Sequence, residues 1–346
     1  MSRENASTPK MLREALEAPQ VVERLFKENA PEARDLGRFL ARKSPGFAFT
    51  VARGSSDHAA SYAQYLAGIA AGVFTGSLPP SLLGIYRADL RLSGALGLFF
   101  SQSGKSPDLT EAARRTRARG ALVVAFTNDP DSPLAQAAEV VFPLHAGREE
   151  AVAATKTFIA ELAAFLQLVA YWREDRALLE ALERLPETLA VAAAALWPRF
   201  LEVFEDAEHA FVLSRGPAYA AALEAALKLK ETSGIFAEGF SAAEFLHGPV
   251  ALLEPGFPVL VLAPEDAALE VVREVANGLS EKGAALLWAG AEPGPGEGLS
   301  VPPAPHPYAA PIVLIQAFYP NAARLARARG LDPDRPRNLK KVTRTL

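Results

Sequence analysis

Cysteine is absent from the 346 residues. That excludes disulfides, thiolate metal sites and a cysteine nucleophile. Long basic runs are also missing: 36 Lys and Arg stand against 40 Asp and Glu, for a formal net charge of -4. Nucleic acid demands clustered Lys and Arg, so it is not an expected partner. No stretch reaches the roughly 18 uninterrupted apolar residues of a membrane span. The opening MSRENASTPK lacks the apolar core of a signal peptide. His58, His145, His209 and His306 show no ligand spacing among themselves, so neither metal nor organic cofactor is expected. What remains is the expectation of a soluble, cytoplasmic protein. Half of its residues are hydrophobic, enough to bury more than one core.

Residues 8–40 read as a helix, with apolar positions at Met11, Leu12, Ala15 and Leu16 and again at Val21, Val22 and Leu25. Short apolar runs follow, each ending in a polar loop. Residues 47–52 end in Arg53-Gly54-Ser55-Ser56, residues 95–100 in Ser101-Gln102-Ser103-Gly104, and residues 121–126 in Thr127-Asn128. Ser106 is placed to cap a helix, with Pro107 at its first position and Gly120 at its close. Strands alternating with helices predict a parallel, doubly wound sheet.

The pattern then restarts. Residues 210–213 lead into Ser214-Arg215-Gly216 and a helix over 219–232. Arg215 lies 162 residues after Arg53, and Ala263 lies 162 after Ser101. Two strand ends that keep one spacing predict an internal duplication. The expected architecture is α/β, with two tandem doubly wound parallel-sheet lobes at 38–180 and 195–335. A helical N-terminal segment covers 1–37, a helical linker 181–194 and a C-terminal tail 336–346; the whole stretch 177–204 reads as helical.

Ligands of open α/β sheets sit outside the carboxyl ends of the strands. A phosphate there gains from unpaired N–H groups, the helix dipole and hydroxyl donors. Ordinary turns also use Ser and Gly, but two Ser-rich loops at neighbouring strand ends favour the phosphate. In the second lobe the matching loop is Ala263-Pro264-Glu265-Asp266, which offers carboxylates instead. A phosphate therefore belongs to the first lobe. Glu224, Lys228 and Glu231 fall on one helical face. Composition alone favours a solvated face for them; the functional alternative is a carboxylate kept ionised by lysines to take a proton from carbon. His247, before Gly248-Pro249, is either a turn or core histidine or a proton-exchanging one. Pro336-Arg337-Asn338-Leu339-Lys340-Lys341-Val342-Thr343 is by composition a solvated tail.

Read together, these motifs resemble the SIS (sugar isomerase) family: the isomerase half of glucosamine-6-phosphate synthase and, more closely, the SIS-type glucosamine-6-phosphate deaminases. The resemblance runs from about Met11 to Leu346. It rests on the loop from Arg53 to His58, Ser101-Gln102-Ser103-Gly104, Val152-Ala153-Ala154-Thr155-Lys156, the helix from Ala226 to Glu231, the stretch from Glu244 to Pro249 and the basic ending. It implies that Ser56, Ser101, Ser103 and Ser106 hold a phosphate, with Ser55 and Gln102 beside them. Val152 and Thr155 would line the sugar pocket. It further implies Glu231 as the base between C1 and C2, with Lys228 helping to keep it charged. His247 would open the sugar ring of a neighbouring subunit in a homodimer, and Lys341 would meet the open-chain carbonyl.

The sequence also departs from the synthase. No glutaminase segment or cysteine is present, Lys105-Ser106-Pro107 follows Ser-Gln-Ser-Gly in the manner of the deaminases, and Ala154 stands where the synthase has a pocket serine. The tail is one residue shorter before Val-Thr, which makes Lys340 an alternative to Lys341. The expected activity is conversion of glucosamine 6-phosphate to fructose 6-phosphate and ammonia. A galactosamine-6-phosphate deaminase, a plain aldose–ketose isomerase and a non-catalytic sugar-phosphate-binding regulator are the alternatives.

Overall fold

The computed structural model describes residues 8–341. The Val342-Thr343 close of the expected tail lies outside the described residues. Helix α1 (Lys10–Lys43) precedes a parallel sheet of β1 (Ala48–Val51), β2 (Thr75–Ser77), β3 (Leu96–Ser101), β4 (Leu122–Thr127) and β5 (Val140–Pro143). The strand order is β2-β1-β3-β4-β5. Helices α2 (Ser55–Ala71), α3 (Pro80–Gly84), α4 (Pro107–Arg117) and α5 (Pro133–Ala137) connect these strands.

After α6 (Lys156–Arg173), α7 (Arg176–Ala194) and α8 (Pro198–Phe204) come β6 (His209–Ser214), β7 (Phe236–Ser241), β8 (Pro258–Leu262), β9 (Ala285–Gly290) and β10 (Glu297–Ser300). Read from β7, this sheet runs β7-β6-β8-β9-β10, which is the winding of the first. Helices α9 (Tyr219–Ser233), α10 (Ala242–Phe245) and α11 (Leu269–Glu281) lie among its strands, and α12 (Ala310–Ala328) ends the fold. Pro258 of β8 lies 162 residues after Leu96 of β3, so the spacing of the strand ends carries over to whole strands. The two α/β sheets are the expected duplicated lobes.

Alternate residues along each strand serve different cores, because successive side chains point to opposite faces. Leu98, Phe100, Val124 and Phe126 enter a core that continues through α6 and α12 to Val212, Leu260 and Leu287 of the second sheet. Phe99, Val123 and Ala125 pack outward in a separate cluster; Phe211, Val259 and Val261 do the same in the second lobe. The lobes thus share their largest core. The stretch expected as a linker is the C-terminal part of α7, and it buries Leu182, Leu185 and Leu189 in that shared core. The helical reading of 177–204 is corrected by a break after Ala194, where Pro198 starts a new helix. None of the described helices is long and apolar enough to cross a membrane.

In this winding the connections from β1 and β3 run to opposite sides of the sheet, and the crevice between those strands is where such sheets bind ligands. The helix that follows the first strand of each lobe, α2 or α9, packs against its counterpart. That contact brings the loop after β1 beside α9.

Candidate active site

A cleft of about 370 Å³ opens at this crevice. One wall is the pair of loops after β1 and β3, which present Ser55, Ser56, Ser101, Gln102, Ser103 and Ser106. Gly104 turns the second loop with φ +60°, and a Cβ there would come within 2.1 Å of Ser132 Oγ, so only glycine fits. Ser101 Oγ accepts the Gly104 N–H at 3.2 Å, and Ser103 Oγ accepts that of Lys105 at 3.3 Å. Both hydroxyl hydrogens are thereby left for an incoming acceptor. Ser106 occupies the N-cap position of α4 with Pro107 following, as the sequence indicates, but its hydroxyl makes no capping bond. It faces the cleft instead. Arg53 braces the loops, its Nε and Nη2 donating to Asp108 Oδ2 at 3.1 and 3.0 Å.

The opposite wall is α9. Glu224 and Lys228 are buried to 0 and 1 % side-chain exposure, which overturns the solvated-face reading that composition favours. Lys228 Nζ lies 2.6 Å from Glu231 Oε2, 3.2 Å from Glu224 Oε1 and 3.1 Å from Ser55 Oγ. Tyr319 of α12 donates to Glu224 at 3.0 Å, and His58 Nδ1 of α2 is 3.0 Å from its other oxygen. Burial opposes ionisation of Glu224, but Lys228 and His58 outweigh it and hold the carboxyl below its usual value. Burial likewise works against the charge on Lys228, yet Glu224 and Glu231 raise its pKa. Lys228 and Glu231 both line the cleft, and of the three only Glu231 remains partly exposed, at 18 %.

The third side comes from Val152, Ala154 and the C-terminal segment Leu339 to Lys341. Lys341 Nζ donates to the Ala151 carbonyl at 2.6 Å and lies 3.4 Å from Glu149 Oε2. Glu149, fully buried, also receives the Thr155 N–H at 2.9 Å. The second lobe has no comparable cradle: both Glu265 oxygens take the Ala304 N–H, at 3.1 and 3.2 Å, and Asp266 takes that of Ala268.

A profile of the SIS domain matches residues 44–171 and 203–288. The chain belongs to the SIS domain family. Among curated relatives, this SIS protein is similar to the glutamine–fructose-6-phosphate aminotransferase (isomerizing) of Zymomonas mobilis. The two are 34 % identical over 279 residues, which cover 74 % of this chain and 45 % of that protein. The chain spans about half the length of the curated relatives it matches. Among solved structures it is similar to a Silicibacter pomeroyi protein provisionally named a phosphosugar isomerase, with TM-score 0.91, 43 % identity, and 94 % of this chain and 100 % of that one covered. The C-terminal domain of glucosamine-fructose-6-phosphate aminotransferase from Francisella tularensis follows, with TM-score 0.83, 26 % identity, and 97 and 100 % covered.

Within this SIS fold the six loop residues meet Val152, Lys228, Glu231 and Lys341 on one cleft. Two of the expected residues stay apart. Thr155 is fully buried behind the wall, and its hydroxyl finds no partner. His247 is exposed in the turn after α10 and does not line the cleft of its own chain. Sequence reasoning missed Asp108, Glu149, Glu161 and Tyr319. Glu161 carried a signal, as a lone acid in the apolar stretch of α6 from Phe158 to Leu166.

Proposed function

We propose that this chain converts an amino sugar 6-phosphate, glucosamine 6-phosphate above all, to fructose 6-phosphate and ammonia. The observation that carries this reading is one cleft with a hydroxyl-lined loop pair on one wall and the Glu231–Lys228 pair on the other. A phosphate in the loops of β1 and β3 would receive the hydroxyls of Ser56, Ser101, Ser103 and Ser106. The sugar carbons would then extend toward α9.

His247 of a second copy opens the ring by exchanging protons with the ring oxygen and O1, consistent with its exposure here. Lys341 meets the aldehyde at C1. Glu231 takes the proton from C2 and returns it to C1, while Lys228 fixes the carboxylate in place. The product imine at C2 takes up water and releases ammonia, so substrate plus water balances fructose 6-phosphate plus ammonia. Lys105-Ser106-Pro107 favours the deaminase reading over the synthase one, and Ala154 leaves the sugar side of the cleft without the serine hydroxyl of the synthase. The enzyme would act as a cytoplasmic homodimer without metal or organic cofactor.

The test is an assay of ammonia and ketose phosphate from glucosamine 6-phosphate and galactosamine 6-phosphate, side by side. Equal yields of ammonia and fructose 6-phosphate from the former are expected. Turnover of the galacto epimer alone would reassign the substrate. Binding without turnover would leave a regulator.

A further inference from the structure

Glu161 lies in the middle of α6, 1 % exposed. Its Oε1 is 2.8 Å from the Oγ of Ser56, which faces the cleft from the first turn of α2. No Lys or Arg forms an ion pair with it among the described residues. The charged groups that bear on it are carboxylates, Glu224 from α9 and Glu149 from the segment before α6. The cations of the cluster are engaged elsewhere: Lys228 with Glu224 and Glu231, Lys341 with Glu149. From α1, Glu14 accepts the N–H groups of Glu150 and Ala151; from α12, Tyr319 serves Glu224, as does His58 from α2. Burial drives the Glu161 carboxyl well above its usual value; the Ser56 hydrogen bond opposes this, and Glu224 and Glu149 add to it.

The protonation state decides what Ser56 can do. A serine hydroxyl has one hydrogen, and an ionised carboxylate can only accept. Beside a carboxylate, Ser56 would spend its hydrogen on Glu161 and turn lone pairs toward the cleft. The buried charge would also repel an anion there. A neutral acid brings its own hydrogen. We propose that Glu161 is a positioning residue of the phosphate site, a neutral carboxylic acid that donates to Ser56 Oγ and so turns the Ser56 hydroxyl into a donor for the phosphate. This rests on the phosphate reading given above.

The Glu161→Gln variant tests it, because an amide donates as the neutral acid does and carries no charge. Calorimetry with glucosamine 6-phosphate and with inorganic phosphate should give wild-type affinity for Glu161→Gln at neutral pH. Ser56→Ala should lose about tenfold or more, the size of one hydrogen bond to a charged group. As pH rises through the raised carboxyl value the wild-type affinity should fall relative to that of Glu161→Gln. The wild-type half of that profile needs no variant to fold. Difference infrared spectra, wild type minus Glu161→Gln without ligand, should show the stretching band of a protonated carboxyl. A carboxylate band there, or a Glu161→Gln loss as large as that of Ser56→Ala, would overturn the proposal. Wild type binding neither probe would overturn the phosphate reading itself, and the ligand-free infrared band tells that failure apart from a wrong protonation state.

Discussion

Replacing Lys228 by Met removes the ammonium that lies 3.2 Å from Glu224 and 2.6 Å from Glu231. Glu224 is then left in the core with only Tyr319 and His58 as partners. Breaking one side of a buried ion pair costs about 3–5 kcal/mol, and the surviving hydrogen bonds point to the lower end, about 3 kcal/mol. The pH dependence has a definite sign. In the native protein the Glu224 carboxyl sits below its ordinary value of 4.5, so its contribution is complete above that value and disappears as pH falls through the depressed one. Without Lys228, burial raises the same carboxyl, and stability declines as pH climbs through the raised value. The gap between wild type and Lys228→Met is therefore widest at neutral pH and narrows in acid. Urea unfolding followed by circular dichroism at several pH values measures it. Pairing Lys228→Met with Glu224→Leu should recover most of the loss, since an apolar replacement of a whole buried pair is often neutral. A gap below about 1 kcal/mol, as for an exposed pair, or one that ignores pH, would refute the reasoning.

Changing Ser101 and Ser103 together to Ala should weaken glucosamine 6-phosphate binding by about a hundredfold, two hydrogen bonds to a charged group, whereas Glu265→Ala should leave the affinity unchanged. Calorimetry on both would refute a single phosphate site if the losses were equal. Verified mixed dimers of His247→Ala with Glu231→Gln should regain part of the activity, because one of their two sites is intact. No recovery would mean that both residues act within one chain.

Strands buried on both faces read as short apolar runs, which is why β1, β3, β4 and β6 were legible and why the 162-residue spacing exposed the duplication. The edge strands were not. Thr75–Ser77 and Glu297–Ser300 are short, polar and partly exposed, and only their neighbours make them strands. Helical spacing put Glu224, Lys228 and Glu231 on one face. Which way that face turns depends on α9 docking against α2, and no local pattern records it. The Ser56–Glu161 contact spans 105 residues of chain. Ser56 is legible as a phosphate ligand from its loop, but nothing local ties it to Glu161, a lone acid in an apolar helix. The resemblance assigns Thr155 to a sugar pocket by its position in the motif. Its N–H instead goes to Glu149, and the side chain is held on the inner side of the wall. The residues facing the cleft were those whose type and loop suit phosphate chemistry; the residues that hold them in place were the ones hidden.

If Glu231 moves a proton between sugar carbons while the first-lobe loops hold the phosphate, binding and proton transfer should come apart in one variant. Glu231→Gln keeps the size of the side chain and removes the proton acceptor. With glucosamine 6-phosphate in heavy water, proton NMR reads deuterium entering at C1 or C2, and calorimetry reads binding. Near wild-type binding is expected, with exchange and ammonia release lowered by at least about a hundredfold, the lower end of what a general base supplies. Full exchange in Glu231→Gln would contradict it and move the search for the base to Glu224 or Glu244.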